Sequence, residues 1–185
     1  MAGVVDAVRT AWARGFGVTL RAAGPGDLEA PGMQRALRDG IERGYDGSLP
    51  AAPPGCECYM IRVAAAEVGV LGFVRGMPEP GETVVWGAAI APEYRGHAYG
   101  VRALLAAERR LLRDGQRQFY ARVPRTNGRG LYFMLRSGYA PVVAPVEDGA
   151  TWFRRNLKPT GRSAAPPARG RLSKQRALRG SSADS

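Results

Sequence analysis

The chain has 185 residues, 45% of them hydrophobic and 23% charged, the proportions of a folded globular protein rather than a disordered one. At roughly 150 residues per domain this makes one domain with an appendage. Its longest apolar run, Val68 to Val74, is far short of the roughly 20 residues that cross a bilayer. Asp6, Arg9 and Arg14 also break the apolar stretch that a secretory signal needs, so a cytoplasmic protein with no membrane contact is expected. The net charge is +11, of which 7 − 1 = +6 falls on residues 158–185, a Pro-, Gly-, Ser- and Arg-rich stretch without aromatics. Such a segment cannot offset its ordering entropy by burial and reads as a disordered basic tail. The folded domain is therefore expected over residues 1–157 and the tail over 158–185. The tail is either a solvated extension or a contact for nucleic acid.

In chain order, Val4–Trp12 has the spacing of a short amphipathic helix and residues 17–23 read as a first strand. Asp27 stands as an N-cap for a helical stretch, interrupted at Pro31 and Gly32, that resumes from Met33 to Tyr45. Three apolar, β-branched runs follow at 58–65, 67–76 and 82–90, joined by short links, the pattern of an antiparallel meander. Val101, Leu104, Leu105, Leu111 and Leu112 then recur at helical spacing, and Gly115 supplies the stop. Residues 118–123 read as a strand, 130–138 as a short helix, and 140–146 and 150–157 as two last strands. Cys56 and Cys58, spaced C-x-C with only His97 to help them, make a poor metal site and a poor disulfide, so reduced thiols and no metal are expected.

The chemistry concentrates where the third meander strand ends. Pro92 stops its pairing, and Arg95-Gly96-His97-Ala98-Tyr99-Gly100 leads straight into the amphipathic helix. A strand, a Gly-containing turn and a helix N-terminus leave several backbone N–H groups unpaired at the positive end of a helix dipole, a place that suits phosphates. The spacing fits neither GxxxxGK[ST] nor GxGxxG. It resembles the pyrophosphate loop of the GNAT superfamily of acyl-CoA-dependent N-acyltransferases, Arg/Gln-x-x-Gly-x-Gly/Ala, with Ala98 where the fourth position is usually Gly. A second stretch, Asn127-Gly128-Arg129-Gly130-Leu131-Tyr132-Phe133-Met134-Leu135-Arg136-Ser137-Gly138-Tyr139, resembles that superfamily's Asn-x-x-small-x-x-Φ-Tyr-x-x-x-Gly-Phe pattern. The resemblance covers residues 17 to about 155.

It implies an α+β fold: a GNAT-like mixed, mostly antiparallel central sheet of about six to seven strands flanked by helices. It also implies acetyl-CoA or another short acyl-CoA as co-substrate. The pyrophosphate would sit on the amides of Gly96, His97, Ala98, Tyr99, Gly100 and Val101, with Arg95 and Arg102 adding positive field, so a bulky residue at Gly100 would block its approach. The pantetheine arm would run along Ala88, Ala89 and Ile90 and past Asn127 and Met134. Met134 stands where many members carry the Tyr that protonates the departing thiolate, and a thioether has no proton to give. Tyr99, water or the substrate amine is left for that role. Glu82, which period-two alternation places on the face of Val84, Trp86 and Ala88, is the candidate base. Trp86 and Tyr59 are read either as cleft walls or as plain core, and Asp46, Glu57, Glu147 and Asp148 as possible holders of a cationic acceptor or as ordinary surface charge.

The leading expectation is an N-acetyltransferase acting on a primary amine of a small molecule, peptide or protein. The alternatives are a non-catalytic acyl-CoA-binding regulatory module and a nucleic-acid-associated protein using the tail. A homodimer is left open.

Overall fold

A computed structural model describes residues 11–41, 53–145 and 149–156. The basic tail, the loop around Asp46, and Glu147 and Asp148 lie outside them, as does most of the helix expected at 4–12. Of that helix, Ala11 and Trp12 belong instead to a strand.

Eight strands form one sheet in the order β1-β2-β3-β4-β5-β6-β8-β7, one strand more than the upper expectation. β1 (Ala11–Gly15) and β2 (Val18–Ala22) are joined through Phe16 and Gly17, both at positive φ. Two positive-φ residues make the turn whose twist matches that of the flanking strands. The meander comes next, as expected: β3 (Cys56–Val63), β4 (Ala66–Arg75) and β5 (Glu82–Ile90), all antiparallel. After helix α2 (Tyr99–Arg113) the chain re-enters as β6 (Gln118–Pro124), parallel to β5. Helix α3 (Gly128–Arg136) and the antiparallel pair β7 (Tyr139–Val142) and β8 (Ala150–Arg155) complete the fold. β7 is the outer strand, and Pro141 lies on it, exposed.

Asp27 does not cap helix α1 (Pro31–Ile41). Its carboxylate takes the Gly24 N–H and the guanidinium of buried Arg21, which Glu67 also holds. Pro31 opens the helix rather than interrupting it, because its fixed φ suits the first helical position, where its missing N–H costs nothing.

The sheet's two faces carry different helices. On one, Phe73, Val85, Phe119, Ala121 and Phe153 pack against Ala103, Leu104, Ala107 and Leu111 of α2 and Met134 of α3. On the other, Met60, Val70 and Ala89 pack against Met33 and Ala36 of α1. The buried stripe of α2 is richer in alanine than the leucine spacing implies, and Leu112 stays 44% exposed. Small side chains let α2 lie close to β1, where a Cβ at Gly15 would stand 3.6 Å from Ala106 Cβ.

β5 departs from regular pairing in two places. Phe73 pairs with Val85 but Gly72 pairs with Gly87, so Trp86 is a bulge. The bulge shifts the alternation: Glu82 and Val84 share a face with Gly87 and Ala89, while Ala88 turns to the opposite face with Val85. The expectation that Glu82 and Ala88 share a face is thus corrected. On its other edge, β5 pairs with β6 only from Glu82–Gln118 to Val85–Ala121. Beyond that point the two strands part and the sheet forks.

Candidate active site

The fork is the candidate site. Its β5 wall is Trp86 to Ile90, whose β6-facing backbone groups have no strand partner beyond Val85. On one face of the sheet Arg122 of β6 lies over Trp86, its guanidinium carbon 5.1 Å from the ring centroid. On the other face α3 closes over the strand end.

At the open end of β5 the chain makes a single 3-10 turn, Pro92–Tyr94, and then Arg95 turns back so that its Nε donates to Ile90 O at 3.0 Å. Gly96 follows at φ 86 and Ala98 at φ 58, ψ 19, both left-handed. The first bond of α2 runs from Arg102 N to Ala98 O at 3.0 Å, and no side chain caps the helix. The N–H groups of Tyr99, Gly100 and Val101 therefore have no acceptor within the helix. Left-handed Ala98 beside right-handed Tyr99 turns successive N–H groups toward one hollow, an anion nest at the positive end of α2. The residues present fit a diphosphate on this geometry alone. Ala98 thus occupies a position that needs positive φ, the reason glycine is usual there, and its methyl group is paid for in backbone strain. His97 is exposed, its ring stacked on Tyr99 at 5.3 Å, and the Arg102 guanidinium lies 5.8 Å from the Tyr99 ring centroid.

Gly100 has a different role from the one its sequence position suggests. A Cβ there would meet Phe133 Cε2 at 3.1 Å and Ile90 Cγ1 at 3.5 Å, so it would point into the protein rather than toward the nest. The bare backbone at Gly100 is where α3 docks on α2. Gly130 is small for a similar reason, since a Cβ there would lie 2.8 Å from Val123 Cγ1. Asn127 caps α3, its Oδ1 accepting from Gly130 N at 2.9 Å. Met134 is 4% exposed and packs in the core beside the fork.

The structure brings Ile90 of β5, Gly100 at the end of the loop and Phe133 of α3 together at the mouth of the fork, while Asn127 caps α3 and Met134 lies in the core. It does not bring Glu82 there. Glu82 begins β5 opposite Gln118, where the two strands are still paired, and lies four residues, or about 13 Å, before Trp86 along the strand. Glu57 and Tyr59 also lie elsewhere: the Tyr59 hydroxyl donates to Glu57 at 2.5 Å, Glu57 pairs with Arg75 at 2.8 Å, and Tyr59 stacks on Trp12 at 4.0 Å. Burial pushes the Tyr59 hydroxyl up to about 12, and the group is core, not cleft. Cys56 and Cys58 are free thiols, hydrogen-bonded to each other on the face of Gly72 and Gly87, and the Cys56 thiol holds Cys58 down at about 7. Among the described residues no group of three or more His, Cys, Asp or Glu is placed to hold a metal, and no helix is long and apolar enough to cross a membrane. Sequence reasoning missed Phe133 and Arg122 as parts of the fork. Arg122 carried a period-two signal, falling two residues after Tyr120 on the same face of β6.

A sheet split between two parallel strands, with an uncapped helix N-terminus at its mouth, is an arrangement suited to a phosphate-bearing, arm-like ligand. The family model described as Acetyltransferase (GNAT) family matches residues 32–139, and the chain belongs to that family. No curated protein sequence matches it. Among solved structures, it is similar to an acetyltransferase from Thermus thermophilus, at 23% identity and TM-score 0.58, over 75% of this chain and 97% of that one. It is also similar to the PaiA N-acetyltransferase of Thermoplasma acidophilum, solved in complex with coenzyme A, at 15% identity and TM-score 0.56, over 75% and 98%. A GNAT family acetyltransferase from Elizabethkingia anophelis with acetyl-CoA bound aligns at 13% identity and TM-score 0.54, over 77% and 100%. At these identities the likeness is one of fold.

Proposed function

We propose that this chain transfers an acetyl group from acetyl-CoA to a primary amine. The observation that carries the reading is the fork beside the uncapped start of α2. The pyrophosphate rests on the amides from Gly96 to Val101, and the pantetheine amides pair with the free edge of Ala88 to Ile90 as an added strand would. Similar folds solved with coenzyme A and acetyl-CoA bound support CoA as the ligand class. The thioester then lies near the bulge at Trp86 and Gly87. A neutral amine attacks its carbonyl, backbone N–H groups of β5 polarise the oxygen, and the thiolate leaves. The proton lost by the amine must reach the thiolate. Met134 cannot carry it, and Tyr99 stacks on His97 at the nest end of the site, which leaves water and the amine itself.

The buried thioether at Met134 favours a second reading, an acyl-CoA-binding module without turnover. Amine-dependent release of CoA thiol from acetyl-CoA, measured over a panel of small amines and peptides, separates the two. Release supports transfer. Calorimetric CoA binding without release from any amine overturns transfer in favour of the binder, and absence of CoA binding overturns both.

A further inference from the structure

The fork divides the sheet into two parts, β1 to β5 and β6-β8-β7, joined edge to edge by four residue pairs. Helix α2, whose first turn forms the nest, lies on β1, β2, β4 and β5. The width of the opening therefore depends on how firmly α2 is held to the other part. Apolar packing does this without fixing an angle, because such contacts are non-directional.

One polar cluster does fix it. Glu108, on the buried side of α2 and 5% exposed, accepts from the Tyr139 hydroxyl of β7 at 2.8 Å through one oxygen, and pairs with Arg155 Nε of β8 at 3.2 Å through the other. Arg155 in turn donates to Ser137 O at the end of α3 and lies over the Tyr139 ring at 5.6 Å. A single carboxylate of α2, which lies on the first part, thus binds the two strands of the second part that follow β6 in the sheet. Among the described residues no other ion pair joins α2 to β6, β7 or β8. Glu108 sits eight residues, about 12 Å along the helix axis, from Gly100, so it touches no ligand and acts through the rigid helix.

We infer that Glu108 is a positioning residue that sets the opening of the fork, and with it the affinity for acyl-CoA. The inference rests on the reading of the fork as the acyl-CoA cleft. Burying a carboxylate is tolerated here because two strands satisfy both oxygens; removing the charge leaves half-buried Arg155 beside a neutral side chain and frees β8 to shift relative to α2.

The test compares wild-type, E108Q, Tyr139→Phe and, as a control, Val74→Ala, a buried truncation on β4 beside Val84 at the paired end of β5, on the face away from α2. CoA Kd is measured by calorimetry on the full chain, with Tm for each variant, and KM and kcat where turnover is found. E108Q should raise the Kd and the acyl-CoA KM at least about fivefold while kcat changes less than about twofold. Tyr139→Phe, which keeps the ion pair and the ring, should move Kd in the same direction by a smaller factor, and it carries the test if E108Q does not fold. Val74→Ala should lower Tm and leave Kd within about twofold. Wild-type binding with a Kd unchanged in both fork variants overturns this inference alone, making Glu108 an element of stability only. Failure of the wild-type chain to bind CoA overturns the reading of the cleft and the inference with it.

Discussion

Replacing Ala98 by glycine should make the protein more stable, although it deletes a side chain. Ala98 is held at φ 58, ψ 19, where a Cβ crowds the following carbonyl at a cost of roughly 1–2 kcal/mol. Glycine escapes that cost but is harder to order from the unfolded chain by about 0.4–1 kcal/mol. The difference favours Ala98→Gly by about 0.5–1 kcal/mol, or about 1–4 °C in Tm for a chain of this size. Scanning calorimetry and urea unfolding read it directly. CoA affinity should stay within about twofold, since the substitution keeps both the dihedral angles and the amide of the nest. Ala98→Val is the opposite perturbation: a β-branched residue at positive φ should lose about 1 kcal/mol or more and open the loop. A fall in Tm for Ala98→Gly, or full tolerance of Ala98→Val, would refute the left-handed assignment and the anion nest built on it.

Gly100→Ala should destabilise by about 1–2 kcal/mol through overpacking against Phe133, and Phe133→Leu in the same chain should restore part of that loss, as thermal melts of the double variant would report. Glu82→Gln should change turnover by less than about twofold, because the carboxylate lies about 13 Å of strand away from the bulge; a loss of about tenfold or more would put a relayed base at Glu82 after all. With no tyrosine at position 134, the rate should rise with pH as the amine loses its proton and then level off, and a falling limb at high pH would contradict this. Alkylation of Cys58 by iodoacetamide should have its midpoint near pH 7, and Cys56→Ala should move it upward, since the Cys56 thiol hydrogen bond is what favours the Cys58 thiolate. A midpoint at the ordinary thiol value, about 8.5, in the unaltered chain would show that the bond does not form in solution.

The parts of this architecture legible in the sequence are those set by neighbours. β5 is readable to its bounds because a β-branched run lies between Gly81 and Pro92, and the nest is readable because six consecutive residues make it. β1 is not, since Ala-Trp-Ala-Arg-Gly becomes a strand only through its partner β2 across the turn at Phe16 and Gly17. Asp27 reads as a cap and is none, because its capping chemistry is spent on Arg21 and Gly24. The bulge at Trp86 changes faces without any local signature, which is why plain alternation assigns Ala88 and Glu82 together. Glu108 shows the limit most clearly: its spacing from Leu104, Leu105, Leu111 and Leu112 puts it on the buried stripe of α2, but its partners stand 31 and 47 residues downstream and no local pattern names them.

The rim of the sheet at β7 bears on how the molecule meets copies of itself. Most exposed strands present a ladder of donors and acceptors on which another chain can be laid, and growth by that route is open-ended. β7 offers four residues, and at Pro141 the nitrogen has no hydrogen to donate. A second copy laid along it would find a rung missing in the middle of a very short ladder. Lateral stacking into fibres is thereby discouraged at this rim, and association through it would have to rely on side-chain surfaces, which can close into a finite assembly.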